Sequence, residues 1–148
     1  MRISPVTREQ LPEWKRLRRA LYSDIDEAFH DAETAWLLDS AEAACFLAWS
    51  DAGEAIGLVE LTLRNFVDGC IGGPVGYIEG LYLDPAHRGR GLGPQLVGFA
   101  AEWFRSRGCK DMATDAEIAN AGAQAFFRRA GFAERWRVVG FTKPLGER

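Results

Sequence analysis

Near the start of the chain, apolar residues recur every three to four positions, which is the spacing of one face of a helix. They follow residues 7–10 (TREQ), which have the form of a capping box and so mark a helix start. The apolar positions of this first helix are Leu11, Trp14, Leu17 and Leu21. A second helix is predicted at about 31–40, with its apolar side formed by Ala35, Trp36 and Leu38.

Shorter stretches with alternating or unbroken apolar residues predict the strands. Residues 43–50 and 55–66 flank a turn at 51–54, as in a hairpin, and 75–83 is apolar on both faces, as a strand covered on both sides would be. The remaining predicted elements are a helix from about Pro94 to Gly108, a strand at 109–115, a helix at about 120–130 and a final strand at 132–143. This order predicts one mixed α/β domain over residues 1–148.

Composition narrows the class of protein. The chain has 148 residues, of which 47% are hydrophobic, and this excludes a disordered or fibrous protein. No apolar run reaches the length of a membrane span, and the first residues lack the pattern of a signal peptide. Three cysteines without a CxxC spacing and two histidines indicate neither a disulfide framework nor a metal site. We expect a cytoplasmic protein that binds no metal.

Charge is unevenly distributed along the chain. No Lys or Arg occurs between Arg19 and Arg64, an interval that holds ten Asp and Glu residues, whereas eleven Lys and Arg follow Asp84. One interpretation is that these charges lie on solvated helix faces. The other is that one half of the protein attracts cations and the other half binds an anion.

The segment at 84–97 (DPAHRGRGLGPQLV) places glycines and arginines between a buried strand and a helix. Backbone N–H groups at such a helix start attract anions, and glycines let a ligand approach the main chain closely. The segment fits neither GxxxxGK[ST] nor GxGxxG. We interpret it as a cradle for a pyrophosphate, and the alternative is a tight turn that merely requires glycine.

The same segment resembles a known motif. Arg88-x-x-Gly91-x-Gly93, preceded by residues 79–85 (EGLYLDP), is similar to the acetyl-CoA-binding motif of the GCN5-related N-acetyltransferases (the GNAT family), and the element order is similar over nearly the whole chain. Within the family, the chain most resembles the bacterial aminoglycoside 6'-N-acetyltransferases. That closer resemblance is carried by Trp14, Leu17, Arg18, Asp68, Gly69, Cys70, Pro74, Glu79, Gly80, Gly108, Cys109, Met112, Ala113 and Asp115.

The resemblance implies a central twisted mixed sheet with helices on both faces, acetyl-CoA as cosubstrate and a cationic small molecule as acceptor. It implies no nucleic-acid partner and a homodimer that pairs through residues 132–143. The backbone of Leu81, Tyr82 and Leu83 would face the pantetheine arm, and Asn120 would also contact the cofactor. The pyrophosphate would be held by Arg88, Gly89, Arg90, Gly91, Leu92, Gly93 and Pro94.

Two carboxylates are the candidates for catalysis. Glu79 lies inside an otherwise apolar strand, where a carboxylate either pairs with a nearby Arg or hydroxyl or binds the substrate ammonium and relays its proton. Asp115 ends a strand on the side where α/β sheets place ligands, and the alternative is a helix-capping aspartate. The resemblance places both on the amine substrate.

Three aromatic residues complete the predicted acceptor site. Tyr22 and Phe66 occupy positions where relatives carry aromatics against sugar rings, although plain core aromatics would give the same pattern. Trp136 departs from the family, because close relatives carry an acid at the matching position. Phe141 also offers no hydroxyl to protonate a leaving thiolate.

Other functions compatible with the sequence are acetyl transfer to a polyamine, a peptide N-terminus or a lysine, and a non-catalytic acyl-CoA or nucleotide sensor. The acid-rich first half favours a polycationic small molecule over a peptide end. The pair of Glu79 and Asp115 favours catalysis over binding alone.

Overall fold

Five strands form one sheet in the order in which they occur along the chain. The structure, a computed structural model, describes residues 1–147. The strands are β1 (Arg2–Pro5), β2 (Ala43–Trp49), β3 (Ala55–Arg64), β4 (Val75–Leu83) and β5 (Met112–Thr114). Neighbours from β1 to β4 run antiparallel, whereas β4 and β5 run parallel, so the sheet is mixed.

Four α-helices accompany the sheet: α1 (Leu11–Leu21), α2 (Glu27–Asp39), α3 (Leu92–Ser106) and α4 (Ala121–Arg129). A short 3₁₀ turn at Arg8–Gln10 precedes α1, and the Gln10 side chain accepts a hydrogen bond from the Thr7 N–H at 3.1 Å. The helix start predicted from the capping box is therefore confirmed. Among the helices of residues 1–147, none is long and apolar enough to cross a membrane.

Side chains of the sheet alternate between α1 on one face and α3 on the other. Leu47 packs on the α1 side in one buried cluster with Trp14, whereas its neighbour Phe46 meets Phe99 of α3 with ring centroids 4.8 Å apart. At Gly76 of β4, an added Cβ would lie 2.2 Å from the Phe104 ring of α3. The predicted α/β class, with helices on both faces of a mixed sheet, is confirmed.

The chain divides into two compact units. The first covers residues 1–115 and contains the sheet with α1, α2 and α3. The second begins at Ala116 and contains α4, whose first turn is capped by the Asn120 side chain, which accepts from the Ala123 N–H at 3.0 Å. The assignment of residues 1–148 to a single acetyltransferase domain stays a prediction.

Helix α2 differs from its predicted form. It begins at Glu27, four residues earlier than expected, because the Asp26 side chain accepts from the Phe29 N–H at 2.8 Å and caps it. Its buried residues are His30 and Thr34. The prediction that Trp36 lies on the packed side was wrong, since 61% of that residue is exposed.

The ends of the sheet also differ from prediction. The sequence pattern did not reveal β1, because four residues are too few to show a period. The predicted strand at 109–115 is realised only as Met112–Thr114. No strand forms in the described part of 132–143, where Val138, Val139 and Phe141 are 75%, 79% and 90% exposed. The prediction of a final strand was therefore wrong for the single chain. A strand requires a neighbouring strand for its backbone hydrogen bonds, and residues 132–143 have none within the part of the chain that the structure describes.

Candidate active site

Strands β4 and β5 separate after only three paired residues. The last pair joins Ile78 to Thr114, and beyond it residues 79–83 have no strand beside them on that side within the described chain. The backbone N–H and C=O groups of β4 that face this fork are open to an extended ligand, which can pair with them as a further strand would. Leu81, Tyr82 and Leu83 lie along this open edge.

A β-bulge lies at the mouth of the fork. Opposite β4, Glu60 pairs with Gly80 and Leu61 pairs with Ile78, so Glu79 is the extra residue. Glu79 and Asp115 are therefore the residues that directly follow the last pair of β4 and β5. The predicted catalytic carboxylates stand at the same end of the two strands.

Glu79 is held by two neighbours from β3. Thr62 Oγ1 donates to Glu79 Oε2 at 2.6 Å, and the Arg64 guanidinium donates to both oxygens, at 3.1 Å from Nε and 2.8 Å from Nη2. The side chain is 32% exposed, so the expectation of a buried carboxylate was wrong. The pairing with an Arg and a hydroxyl, one of the two interpretations from sequence, is present and leaves the carboxylate partly open to solvent. Binding of a substrate ammonium by Glu79 stays a prediction.

Asp115 is connected to Glu79 through an aromatic ring. The Tyr77 hydroxyl donates to Asp115 Oδ2, and the Arg64 guanidinium lies 3.4 Å from the centroid of the Tyr77 ring. Burial raises the pKa of Tyr77, and the bond to Asp115 adds to the shift, so this hydroxyl remains a donor at physiological pH. Asp115 is not a helix cap. Sequence reasoning missed Thr62, Arg64 and Tyr77, although the register of β3 against β4 places Thr62 opposite Tyr77.

The buried carboxylate of this region is Glu60, which is only 4% exposed. Trp14 Nε1 donates to Oε2 at 2.8 Å, and Arg18 Nη1 donates to both oxygens at 2.5 Å. Arg18 Nη2 donates in turn to Glu33 Oε2 at 2.6 Å. Burial alone would lower the pKa of Arg18, but the Glu60 carboxylate outweighs that effect and the net shift is upward. Arg18 therefore stays charged.

Tyr22 lies between the Glu60 carboxylate of β3 and the backbone of Glu79 in β4. Its hydroxyl lies 3.2 Å from the Glu79 carbonyl oxygen and 3.4 Å from Glu60 Oε1, and its ring lies 4.9 Å below the Arg18 guanidinium. Burial raises the pKa of Tyr22, so the hydroxyl is a donor. A Cβ at Gly80 would lie 2.4 Å from the Tyr22 hydroxyl, which explains why glycine follows Glu79.

A cavity of about 480 Å³ opens beside this group of side chains. It brings Tyr22 and Glu79 together, as the sequence predicts. Phe66, in contrast, is 92% exposed and does not line it, and Trp136 lies in the second unit. The cavity is lined by Arg18, Tyr22, Ile25, Phe29, Glu33, Trp36, Leu37, Ala43, Cys45, Glu60, Leu61, Thr62 and Glu79.

The glycine segment leads directly into α3. Gly89 and Gly91 have φ values of +77° and +78°, which explains the need for glycine at both positions. No side chain of the described residues caps α3, and a Cβ at Gly91 would meet nothing within 4 Å. At the start of α3, the N–H groups of Leu92 and Gly93 have no hydrogen-bond partner among the described residues, and the positive end of the helix lies behind them. Pro94 has no N–H, and the Gln95 N–H donates to the Gly91 carbonyl oxygen at 3.4 Å.

The two arginines of this segment differ. Arg88 Nε donates to the Leu83 carbonyl oxygen at 2.8 Å, and its guanidinium lies 5.4 Å from the Tyr82 ring centroid, so the side chain is fixed against the end of β4. Arg90 is exposed. Both readings of the glycines, a tight turn and an anion cradle, are compatible with this geometry.

The acidic residues between Asp24 and Glu60 do not form a negative wall along the cavity. Only Glu33 and Glu60 of these ten line it. Several are paired with the basic residues that precede Asp24: Asp39 with Arg8, Asp31 with Lys15, Glu27 with Arg19, and Glu33 and Glu60 with Arg18. Of the two interpretations of the uneven charge, a half that attracts cations is therefore not realised as an acidic lining of the cavity, because several of these acids pair with basic residues of α1 and of the turn before it.

No group of three or more His, Cys, Asp or Glu side chains within residues 1–147 is placed to hold a metal ion.

Comparison with known proteins gives consistent results. The family model described as "Acetyltransferase (GNAT) family" matches residues 8–132. The aminoglycoside N(6')-acetyltransferase type 1 of Stenotrophomonas maltophilia is 36% identical over 147 residues, covering 96% of this chain and 95% of that protein. The enzyme of the same name from Acinetobacter haemolyticus is 38% identical, covering 98% of this chain and 99% of its own length.

Solved structures are similar as well. The apo crystal structure of an aminoglycoside antibiotic 6'-N-acetyltransferase from Acinetobacter haemolyticus has a TM-score of 0.89 and 37% identity, and covers 99% of this chain and 100% of its own. The complex of AAC(6')-Iy with the bisubstrate analogue CoA-S-monomethyl-acetylneamine has a TM-score of 0.86 and 31% identity, covering 97% of both chains.

We predict that Arg18→Met lowers the free energy of unfolding by about 3–5 kcal/mol, because it leaves the buried Glu60 carboxylate without its cation. Arg19→Met is the matched control, since Arg19 is the next residue of α1 and pairs with Glu27 at the surface. This control should leave the urea midpoint close to that of the wild type. Equal urea midpoints for the two variants would contradict a structural role for the Arg18–Glu60 pair.

Proposed function

Because this chain belongs to the GNAT family of acetyltransferases, we propose that it transfers the acetyl group of acetyl-CoA to the 6'-amine of aminoglycoside antibiotics. The observation that carries the proposal is the position of Glu79 and Asp115 at the mouth of the β4–β5 fork. There, two linked carboxylates adjoin an open strand edge that can hold an extended thioester arm. The named relatives supply the acceptor class.

The residues present fit acetyl-CoA, which supplies, when bound, an acetyl group activated as a thioester. The pantetheine arm contains amide groups, and the open backbone of Leu81–Leu83 would pair with them. The first turn of α3, with residues 88–94, would hold the pyrophosphate through N–H groups and the helix dipole. Asn120 stays a predicted cofactor contact, and its Oδ1 already caps α4.

Glu79 and Asp115 would bind the acceptor ammonium and remove its proton. Asp115 Oδ1 has no hydrogen-bond partner among the described residues, so this oxygen can accept from an ammonium without losing the Tyr77 bond. Glu79 would relay the proton towards solvent, to which it is partly exposed. Tyr22, Phe66 and Trp136 stay proposals for contacts with the sugar rings.

We predict that Gly91→Glu weakens acetyl-CoA binding by orders of magnitude, measured by calorimetry. The new carboxylate would repel the pyrophosphate and displace its main-chain hydrogen bonds, each of which contributes about 1.5–3 kcal/mol. Gly108→Glu is the matched control, because Gly108 lies at the far end of α3 with a φ of +81° and equally open space. The Gly108→Glu variant introduces the same charge as Gly91→Glu at a backbone position with nearly the same φ. Unchanged affinity of a folded Gly91→Glu protein would remove the pyrophosphate assignment.

We predict that the protein releases thiol from acetyl-CoA with kanamycin-like acceptors that carry a free 6'-amine, and not with analogues that carry a 6'-hydroxyl. Asp115→Asn and Glu79→Gln should each lower kcat/KM for the amine about 10²-fold or more, the usual contribution of a general base. Asp111→Asn, which changes an exposed acid just before β5, should not.

Equal turnover of the 6'-amino and 6'-hydroxy compounds would show that another amine is modified. Better turnover of a peptide or a polyamine would favour the alternative acceptors. Wild-type activity in both Asp115→Asn and Glu79→Gln would remove the catalytic role proposed for these carboxylates. Binding of acetyl-CoA without turnover of any amine would favour the sensor.

We also propose a homodimer with residues 132–143 at its interface. This segment leaves its apolar side chains exposed, and such patches mark association sites. It also forms no strand in the described chain, so its backbone groups remain free to pair.

Light scattering at micromolar concentration should report twice the monomer mass of 16.4 kDa. Val139→Glu should shift the protein towards monomer, because it places a charge in the apolar segment. Leu145→Glu, at a 99% exposed position outside the segment, should not. A wild-type mass of one chain would exclude the dimer.

A further inference from the structure

One face of α2 lines the cavity with a carboxylate between two aromatic rings. Phe29, Glu33 and Trp36 are spaced by four and three positions, so they lie on the same side of the helix, and all three line the cavity. None of them has a part in the acetyl transfer described above. Glu33 is the member with a charge.

Glu33 retains an oxygen for a ligand. Its Oε2 accepts from Arg18, and its Oε1 has no hydrogen-bond partner among the described residues. The other two carboxylates of the cavity are engaged at both oxygens: Glu60 by Trp14 and Arg18, and Glu79 by Thr62 and Arg64. The Glu33 side chain is 34% exposed, whereas that of Glu60 is 5% exposed. A cation entering the cavity therefore finds its free acceptor at Glu33.

The charge balance favours a cation at the same place. Arg18 is shared by two carboxylates, those of Glu33 and Glu60, so this group of three carries one negative charge in excess. Glu79 is already balanced by Arg64. Glu60 is buried, so the excess charge is accessible at the Glu33 end of the group.

The aromatic neighbours suit the same ligand. Phe29 and Trp36 are 45% and 61% exposed, although both are large and apolar, so packing within the chain does not account for their position. The faces of aromatic rings attract ammonium groups, and Trp does so most strongly. They also offer flat apolar surface to a sugar ring.

We propose that Phe29, Glu33 and Trp36 form a second cation subsite, which binds an ammonium group of the acceptor other than the one that is acetylated. The subsite selects acceptors with two or more ammonium groups and contributes to binding rather than to the chemical step. This inference rests on the proposed function. It assigns to α2 the discrimination between polycationic and singly charged amines.

The test compares two acceptors with the same reacting amine. Kanamycin A carries several ammonium groups, whereas methyl 6-amino-6-deoxy-α-D-glucopyranoside carries one. Glu33→Gln should raise KM for kanamycin A about tenfold, the effect of losing one charge-assisted hydrogen bond, with kcat nearly unchanged. Its kcat/KM for the single-amine compound should stay within about twofold of the wild type, since that compound has no second ammonium.

Two further variants separate binding from folding. Trp36→Ala changes an exposed residue and should raise KM for kanamycin A several-fold without lowering the unfolding temperature. Glu27→Gln, which changes an exposed acid of α2 that pairs with Arg19 and does not line the cavity, should leave both acceptors unaffected.

An unchanged KM for kanamycin A in both Glu33→Gln and Trp36→Ala would overturn the subsite while leaving the proposed function intact. An equal loss of kcat/KM for both acceptors would also overturn it, because Glu33 would then act by positioning Arg18. Absence of kanamycin acetylation by the wild type would overturn the proposed function, and the subsite with it.

Discussion

The pairing of the buried Glu60 carboxylate with Arg18 is the interaction on which the packing of α1 and α2 against the sheet depends. A carboxylate in the middle of a sheet is strongly unfavourable without a cation and donors. Here both come from α1, which supplies the Trp14 indole and the Arg18 guanidinium. The pair therefore fixes the position of α1 along β3. Because Arg18 also binds Glu33, the same cation fixes α2.

The fork between β4 and β5 is the second constraint. Parallel pairing stops at Ile78 and Thr114, and the bulge at Glu79 adds one residue at the same level. The two strands therefore present their next side chains, Glu79 and Asp115, where the sheet opens. Arg64 connects the two carboxylates. It pairs with Glu79 and lies on the ring of Tyr77, whose hydroxyl donates to Asp115. A stop in backbone pairing thus creates both the open edge and the group of carboxylates beside it.

Much of this could be predicted from the sequence, because the signals were local. The capping box at 7–10, the hairpin around 51–54 and the limits of β4 depend on neighbouring residues, and the structure confirms them. The partners of Glu79 and the burial of Glu60 could not be predicted, because they depend on cross-strand register and on a bulge. The apolar side of α2 was misassigned for a related reason. A tryptophan at helical spacing has the same pattern whether it faces a core or a cavity, and Trp36 faces the cavity.

The open edge at Leu81–Leu83 offers main-chain groups, and every residue except proline supplies the same N–H and C=O. Recognition through the backbone places few demands on the side chains, so the proposed cosubstrate site can tolerate substitutions at these three positions. The α2 side of the cavity differs, because a ligand there would contact the side chains of Phe29, Glu33 and Trp36, and each substitution changes the chemistry of the contact. If α2 holds the proposed cation subsite, selection for a new acceptor can act on the exposed face of this one helix and leave the residues proposed for acetyl transfer unchanged.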